Sequence, residues 1–411
     1  VVGDPIAPPG TERNPSPLSR GFERFYGTLA GASSYFNPHA LFEQHNRIEA
    51  PADDYYYTDA IGDHACRMID EAATDDRPLF LHVCFTAPHW PLHAREEDVE
   101  EFRGGYEKGW DYFRTARHEE LRSRGLVDRS WEISPRDPDS REFGADPASR
   151  QRWEASRMAV YAAQVRAMDR AVGRLMAGLR RNGMDENTIV MFLSDNGGCA
   201  EFLNEDGDES EWPGHYAKTA RPGEVCRVGN VEGVEPGPPT TFMRYDLPWA
   251  NVSNTPFRRY KHWVHEGGIA TPFIVRWPRK SRAGTIDHNP WHVMDIMATC
   301  LDVADASYPA RQGTSDIVPL EGESFLDAII SESRGRDRPL FWEHEGNCAV
   351  RHGRWKLVKE SGSDWELYDM LTDRTELYDL SHAKPDVREQ LVDMYRGWAQ
   401  RCGVLEWPLR T

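Results

Sequence analysis

Six apolar positions recur at helical spacing in the middle of the chain: Tyr161, Val165, Met168, Val172, Leu175 and Leu179. Arg and Asp residues stand between them. This period predicts an amphipathic helix. Gly183 is expected to end it, because glycine adopts the left-handed conformation found just after many helices. Similar patterns predict helices at residues 55–70, 107–124, 291–304 and 386–401.

Two short apolar runs have the length of a strand, Leu79–Phe85 and Ile189–Leu193, and a further strand is predicted at Ile269–Trp277. Such runs predict strands that are buried on both faces. Strands that alternate with helices predict an α/β fold, with a mixed sheet sandwiched by helices. In such sheets ligands collect beyond the carboxyl ends of the strands. His89 follows the first run and Asp195 follows the second.

The pattern changes near the C-terminus. Charged and glycine-bearing residues at 331–338 predict a boundary, so we expect a main α/β domain at residues 1–334 and a subdomain at residues 335–411. Short alternating runs from Leu340 to Val358 predict a small antiparallel sheet in this subdomain, closed by the helix at 386–401.

Residues 199–260 predict no regular element. Loops of this length inside compact domains are usually functional or disordered. Asn204–Glu211 is interpreted as a solvated acidic loop, because it lacks the glycine and the glutamate that an EF-hand requires.

The composition is that of a globular protein, with 39% apolar and 28% charged residues. No run approaches the ~18 consecutive apolar residues that span a bilayer. The net charge of −18 repels nucleic acid and anionic membranes, so neither is expected as a partner. A site for an anionic substrate must therefore gather positive charge locally.

Seven cysteines are scattered along the chain without a C-x-x-C spacing. Buried free thiols are favoured over disulfides, and free thiols favour a cytoplasmic location. The first residues, Val1-Val2-Gly3-Asp4, are not typical of a natural start, so the lack of a leader does not decide the compartment.

The first candidate site is Asp195-Asn196 followed by Gly197-Gly198. A carboxylate and an amide oxygen side by side suit a hard cation such as Ca²⁺ or Mg²⁺. The two glycines let the backbone turn and let a ligand approach closely. An ordinary strand-to-loop turn has the same composition, so these four residues alone leave both interpretations open.

Two further candidates could act on an anion. His89, held between prolines, could donate a proton or bind an anion, although a structural histidine is the alternative. His93 follows four residues later, but a proline between them breaks the helical spacing that a shared zinc would need. Lys261, with Arg258 and Arg259, forms the densest basic spot near a glycine pair, although a solvated surface lysine is the alternative.

Five segments, in order along nearly the whole chain, resemble the arylsulfatases, the sulfatase family of the alkaline-phosphatase superfamily. They are Arg20–Gly27 (RGFERFYG), Ala87–His89 (APH), Ser194–Gly198 (SDNGG), Lys261 with Glu266–Gly268 (K-x4-EGG), and Trp365–Asp369 with Thr375–Leu377 (WELYD and TEL). The resemblance implies an alkaline-phosphatase-like fold and a sulfuric ester hydrolase that acts on small-molecule sulfate esters.

The resemblance also implies a mechanism. In the family, a cysteine in a C-x-P-S-R motif is oxidised to formylglycine, whose hydrate attacks sulfur while a divalent metal, usually Ca²⁺, holds the sulfate. By this resemblance Asp195 and Asn196 are metal ligands, and His89 and Lys261 contact the sulfate and help the ester oxygen to leave. These four residues are expected to converge on one spot. His344 is expected to face the cleft and contact the substrate.

The sequence departs from the family pattern at the nucleophile. None of the seven cysteines is followed by x-P-S-R or x-A-x-R, and no K-x-H segment occurs. Ser16–Arg20 (SPLSR) resembles the motif only superficially and runs directly into the RGFERFYG segment. We therefore expect the first strand or strands, the nucleophile and a second cationic pair to precede residue 1. The chain by itself is expected to hydrolyse no aryl sulfate.

Two other functions stay open at this point. One is a phosphatase or phosphonate monoester hydrolase of the same superfamily. The other is a non-catalytic binding protein derived from a sulfatase. The sequence identifies neither the natural alcohol nor the oligomeric state.

Overall fold

A computed structural model describes residues 16–29, 32–51, 54–201, 224–331 and 337–408. The predicted acidic loop at Asn204–Glu211 lies outside these residues. The predicted domain boundary at residue 335 also lies outside them. Both therefore stay predictions.

The chain forms two compact units, each discontinuous in sequence. Unit 1 comprises Val1–Phe113, Pro138–Asp185 and Ala200–Trp249. Unit 2 comprises Arg114–Asp137, Glu186–Cys199 and Ala250–Thr411.

Helices and short strands together make this an α/β protein. The α-helices of the described residues are Tyr57–Ala72, Glu96–Glu100, Gly109–Ser123, Ala148–Arg181, Asp246–Ser253, Glu266–Ile269, Met294–Val303, Leu326–Ile330 and Pro385–Cys402. Single 3-10 turns occur at Pro17–Arg20, Phe143–Ala145 and Asp185–Asn187. None of the described helices combines the length and the apolar character needed to cross a bilayer.

The strands fall into small groups. They are β1 (Tyr26–Thr28), β2 (Leu41–Glu43), β3 (Asn46–Ile48), β4 (Val190–Leu193), β5 (Arg227–Val228), β6 (Thr241–Phe242), β7 (Phe273–Arg276), β8 (Arg311–Gln312), β9 (Ser315–Asp316), β10 (Leu340–His344), β11 (Asn347–His352), β12 (Trp355–Lys359) and β13 (Glu366–Asp369). The β1–β2–β3 and β10–β11–β12–β13 sheets are antiparallel, as is the β4–β7 pair.

The long helix of unit 1 begins earlier than predicted and buries a different face. It runs over Ala148–Arg181, and Gly183 follows it with φ +66°. Ala163, Ala167 and Ala171, four residues apart, are fully buried, whereas Val165 of the predicted apolar face is 37% exposed. Ala171 lies against Gly62 of the helix Tyr57–Ala72, where small side chains let the two helices approach closely.

The predicted strand at Leu79–Phe85 is wrong. Within the part of the chain that the structure describes, no strand pairs with this segment. Phe80 is 65% exposed, and only alternate side chains pack inward, among them Val83 and Phe85 against the cluster around Leu41. An apolar run predicts burial but not a hydrogen-bonding neighbour, and a strand requires both.

The strand predicted at Ile189–Leu193 is present as β4, but it is not buried on both faces. It pairs antiparallel with β7, Leu193 opposite Phe273. All four residues of β4 are partly exposed, and Ile274 of β7 is 60% exposed. One face packs against the cluster around Trp277 and Phe325.

The C-terminal strands and helix occur where the sequence predicted them, with β13 as a further strand. The helix Pro385–Cys402 packs on this sheet. Val350, Leu357 and Leu367 from three successive strands meet Leu391 of the helix in one buried cluster. Alternation along each strand sends these residues to the same face.

Two other predictions need correction. The segment 199–260, predicted to lack elements, contains β5, β6 and the helix Asp246–Ser253. All seven cysteines are free thiols, but only Cys226 and Cys348 are buried, and Cys84 and Cys402 are exposed. Cysteine count and spacing predict pairing better than they predict burial.

Candidate functional site

The Asp195–Asn196 pair lies in a turn directly after β4 in unit 2. The carboxylate of Asp195 accepts the Asn196 backbone N–H through Oδ1 at 3.1 Å. The side-chain amide of Asn196 donates to the Gly197 carbonyl at 2.8 Å. This arrangement uses the amide nitrogen and keeps the amide oxygen of Asn196 available as a ligand. The local bonds therefore fix two oxygen donors on adjacent residues.

Glycines bring this turn against the Lys261 loop. The Gly197 N–H donates to the Gly268 carbonyl at 3.0 Å, and the Lys261 N–H donates to the Gly198 carbonyl at 3.1 Å. A Cβ on Gly197 would lie 1.8 Å from the Gly267 oxygen, and a Cβ on Gly268 would lie 2.0 Å from the Trp263 oxygen. Only glycine fits here, so the SDNGG and K-x4-EGG segments are parts of one structure.

Asn254, which the sequence interpretation missed, joins the two segments. Its Oδ1 accepts the Gly198 N–H at 2.8 Å, and its Nδ2 donates to the Arg259 carbonyl at 2.9 Å. The residue is almost fully buried. A single asparagine in an irregular stretch carries no sequence signal for such a role.

The basic spot predicted around Lys261 is smaller than its sequence suggests. Arg258 pairs with Glu366 at 2.5 Å, and Arg259 pairs with Glu360 at 2.5 Å. Burial would raise the pKa of Glu366, but the hydrogen bond to His265 and the charge of Arg258 lower it to about 2. Both arginines are thus paired with carboxylates within unit 2, which reduces the net positive charge around Lys261.

A buried ion cluster anchors the glycine pair that follows Lys261. Lys356 of β12 places its Nζ 2.8 Å from Oε1 of Glu266 and 2.8 Å from Oε1 of Glu376. Arg374 donates from Nε to the other oxygen of Glu266 at 2.9 Å. Burial would raise the pKa of Glu266, but Lys356, Arg374 and Arg351 outweigh it and hold the pKa well below its usual range.

His89 belongs to unit 1, whereas Asp195, Asn196 and Lys261 belong to unit 2, so their convergence stays a prediction. Its Nδ1 lies 2.8 Å from the Trp90 carbonyl, which can only accept, so Nδ1 carries a hydrogen in either protonation state. Its own carbonyl accepts bonds from Tyr35 at 2.7 Å and Gln164 at 3.3 Å. The proton that this imidazole exchanges is therefore the one on Nε2.

His93 is an interior structural residue. It is fully buried, its Nε2 donates to the Thr241 carbonyl at 2.5 Å, and its Nδ1 accepts the Tyr35 N–H at 3.4 Å. Burial lowers the pKa of His93 to about 4, so the ring is neutral near pH 7.

His344 lies at the end of β10, beside two residues that the sequence interpretation did not select. Nδ1 of His344 is 3.9 Å from Oε2 of Glu345, and Nδ1 of His262 is 3.2 Å from the same oxygen. The two imidazole rings are 5.3 Å apart. His262 directly follows Lys261, so His344 is near the loop that carries the predicted cation.

The turn after β4 fits a hard metal ion. Its donors are a carboxylate and an amide oxygen, the ligand types that Ca²⁺ and Mg²⁺ prefer. Asp195 is exposed and Asn196 is partly exposed, so a cation can reach both oxygens. Ca²⁺ takes about six to eight oxygens, so this pair is one part of a ligand set.

Two family models match the chain. The model described as Sulfatase matches residues 10–306. The model described as N-sulphoglucosamine sulphohydrolase, C-terminal, matches residues 258–396.

Individual proteins agree with these models. An uncharacterised sulfatase of Schizosaccharomyces pombe is 27% identical over 417 residues, covering 95% of this chain and 73% of that protein. An arylsulfatase of Klebsiella aerogenes is 29% identical over 338 residues, covering 79% of this chain and 68% of that protein. The crystal structure of Ps i-CgsB has a TM-score of 0.63 at 21% identity and covers 93% of this chain and 68% of that one.

The structural likeness shows the shared fold, and the Sulfatase model spans well over half of the residues. The protein is therefore a member of the sulfatase family, an alkaline-phosphatase-like group of sulfuric ester hydrolases that generally use a metal ion.

Proposed function

We propose that Asp195, Asn196, Lys261 and His89 serve sulfate-ester hydrolysis in this protein. The observation that supports this most is the contact between the Asp-Asn turn and the Lys261 loop. Gly197 allows that contact, because a Cβ there would lie 1.8 Å from the Gly267 oxygen, and Gly267 and Gly268 allow similarly close packing within the Lys261 segment. A solvated loop would not require such close backbone packing.

In this proposal Asp195 and Asn196 hold a Ca²⁺ or Mg²⁺ ion through Oδ1 or Oδ2 of the carboxylate and Oδ1 of the amide. When bound, the ion supplies positive charge that polarises the sulfate oxygens. A chain of net charge −18 needs such a local reversal of charge to attract an anion.

Lys261 supplies a second positive charge. Its backbone is hydrogen-bonded to Gly198, so the base of the side chain is fixed relative to the two oxygen donors. Lysine acts on a tetrahedral anion as a compact point charge. We assign the sulfate contact to Lys261, and a contact with the remainder of the substrate to His344.

His89 supplies the proton in this proposal. Because Nδ1 donates to the Trp90 carbonyl, the imidazolium presents its exchangeable proton on Nε2. Transfer of that proton to the departing ester oxygen avoids release of an alkoxide.

The nucleophile has no candidate in this sequence. No C-x-P-S-R or C-x-A-x-R motif occurs among the 411 residues, so formylglycine is not assigned to any position here. We therefore propose that the chain alone is inactive. The seven free thiols support a reducing compartment such as the cytoplasm.

Calcium binding tests the metal assignment directly. Isothermal titration of the purified chain with Ca²⁺ should show binding that weakens at least about tenfold in Asp195→Ala and in Asn196→Ala. Asp287→Ala is the matched control, because Asp287 is also an exposed carboxylate that accepts a backbone N–H, from Asn289. Equal affinity in all four proteins would contradict the assignment.

Ester hydrolysis tests the reaction. The chain alone should turn over neither nitrophenyl sulfate nor nitrophenyl phosphate. If the chain did hydrolyse nitrophenyl sulfate and His89→Ala abolished that activity, the proposal that the chain lacks a nucleophile would be refuted. Any longer protein that the gene encodes should prefer the sulfate ester and lose activity in Lys261→Ala. A preference for phosphate supports the phosphatase alternative, and no turnover by that protein supports the non-catalytic one.

A further inference from the structure

We propose that His262, His344 and Glu345 form a second metal site, selective for a transition-metal ion such as Zn²⁺. One ligand atom from each residue lies within 4.8 Å of the other two. The Glu345 carboxylate is the centre, 3.2 Å from Nδ1 of His262 and 3.9 Å from Nδ1 of His344. All three residues belong to unit 2.

The distances approach those of a zinc site. Zn²⁺ bonded at about 2.0–2.2 Å in a tetrahedron holds its ligand atoms roughly 3.4 Å apart. The His262–Glu345 distance already agrees. His344 and Glu345 have side chains that are 52% and 43% exposed, so small rotations can close the remaining distances without disturbing packing.

The backbone is arranged to present these side chains. Glu345 and Gly346 form the two-residue loop between β10 and β11, with φ of +52° and +81°. Positive φ at both positions is typical of a type I′ turn, whose first position favours Asn, Asp or Gly. Glutamate is disfavoured in left-handed backbone. The backbone conformation therefore does not explain a glutamate at position 345, and we attribute it to the side-chain carboxylate. His262 is also left-handed, with φ of +83°.

Asn347 holds the two histidine segments together. Its Nδ2 donates to the carbonyl of His262 at 3.1 Å and to the carbonyl of His344 at 3.0 Å. The residue is buried. This buried amide keeps the two histidine-bearing backbones close together.

The donor set distinguishes this site from the Asp195–Asn196 turn. Two imidazoles and a carboxylate suit Zn²⁺, whereas an all-oxygen pair suits Ca²⁺ or Mg²⁺. Three protein ligands leave the fourth tetrahedral position to water or to an anionic oxygen. The site shares His344 with the proposed substrate contact, so a bound Zn²⁺ would take the His344 imidazole in place of that contact. The proposal otherwise goes beyond sulfate-ester hydrolysis, and its test measures metal binding alone.

The experiment titrates the untagged 411-residue chain with ZnCl₂ at neutral pH, where histidine is available as a ligand. Wild type should bind Zn²⁺ at least about tenfold more tightly than His344→Ala or Glu345→Asn. The matched control is His352→Ala, because His352 pairs with a carboxylate of Asp337 at 3.1 Å within the same sheet but outside the cluster. His352→Ala should bind like wild type.

Glu345→Asn also separates ligation from folding. Asn suits the left-handed position, so the metal-free variant should melt no lower than wild type. Zn²⁺ should raise the melting temperature of wild type but not of this variant. Wild-type affinity in both ligand variants, or an equal loss in His352→Ala, would overturn the proposal.

Discussion

Replacing Lys356 with methionine should expose how strongly the buried ion cluster anchors the Lys261 loop. Lys356 and Glu376 are completely buried, and Glu266 is nearly so. The Nζ atom is 2.8 Å from both carboxylates. Methionine has a similar volume, so the change removes charge while leaving no large cavity.

The expected loss is large because two carboxylates would keep their burial but lose their shared partner. Breaking a buried ion pair from one side costs about 3–5 kcal/mol. Arg374 still contacts Glu266, so we expect a loss near 3 kcal/mol, about the lower end of that range. Adding Glu376→Gln to Lys356→Met removes one unpaired negative charge. The double variant should regain more than about 1 kcal/mol of unfolding free energy relative to Lys356→Met.

The pH dependence of the free energy of unfolding provides an independent test of the ion cluster. In wild type the pKa of Glu266 is held low, so its stabilisation is present above the unfolded pKa and is lost as pH falls through the folded pKa. Without Lys356 the folded pKa should rise above the unfolded one. The folded variant would then bind protons more readily, and its deficit should shrink as pH falls from neutral.

The local free energy of unfolding is measured by hydrogen exchange of the β12 amides during a urea titration. A local measurement is necessary because the two units need not unfold together. Lys359→Met is the matched control on the same strand, because its ammonium lies 5.4 Å from the Trp365 ring. It should cost less than about 1 kcal/mol. A loss below about 1 kcal/mol for Lys356→Met, or a further loss on adding Glu376→Gln, would refute the reasoning.

Two other predictions address the turn after β4 and the interior of unit 1. Gly197→Ala places a Cβ 1.8 Å from the Gly267 oxygen. It should lower the free energy of unfolding by about 1–3 kcal/mol and weaken Ca²⁺ binding. The control is Gly173→Ala, in a helix with no atom within 4 Å of the added Cβ; it should leave the free energy of unfolding unchanged or raise it. Equal unfolding midpoints for the two variants would contradict the argument that Gly197 is needed for close approach. Between pH 6.5 and pH 4, stability of unit 1 should fall by about 3 kcal/mol because folded His93 has a pKa of about 4 and resists a proton that the unfolded chain accepts near 6.5. Hydrogen exchange in urea should show a shallower fall in His93→Gln, and identical pH profiles would show that His93 is not responsible.

Local sequence signals predicted the elements whose pattern is self-contained. The helix Ala148–Arg181 and the C-terminal strands follow from periodicity, because residues on one face of one element share one environment. The long helix buries its alanine face most deeply, whereas on the predicted apolar face Leu179 is buried, Val165 is exposed and the rest are partly buried. Periodicity alone does not show which neighbour will pack there, and close helix contact favours small residues.

Long-range partners were beyond such signals. Asn254 bonds to a residue 56 positions away, and Lys356 bonds to one 90 positions away. Neither has a neighbour in sequence that indicates its role. Residue type and position made the Asp195–Asn196 pair and Lys261 candidates, but only resemblance to a family favoured them over an ordinary turn and a surface lysine. Their metal and sulfate contacts stay predictions.

The glycine contacts restrict how this protein can be diversified in the laboratory. A saturation library at positions 197, 267 and 268 would be populated mostly by misfolded clones, because every non-glycine codon adds a Cβ within 2.2 Å of a backbone oxygen. Ser194, which is exposed and precedes the turn, has no such restriction. Selection for altered ester preference should therefore randomise side chains at the rim of the turn and leave its peptide scaffold unchanged.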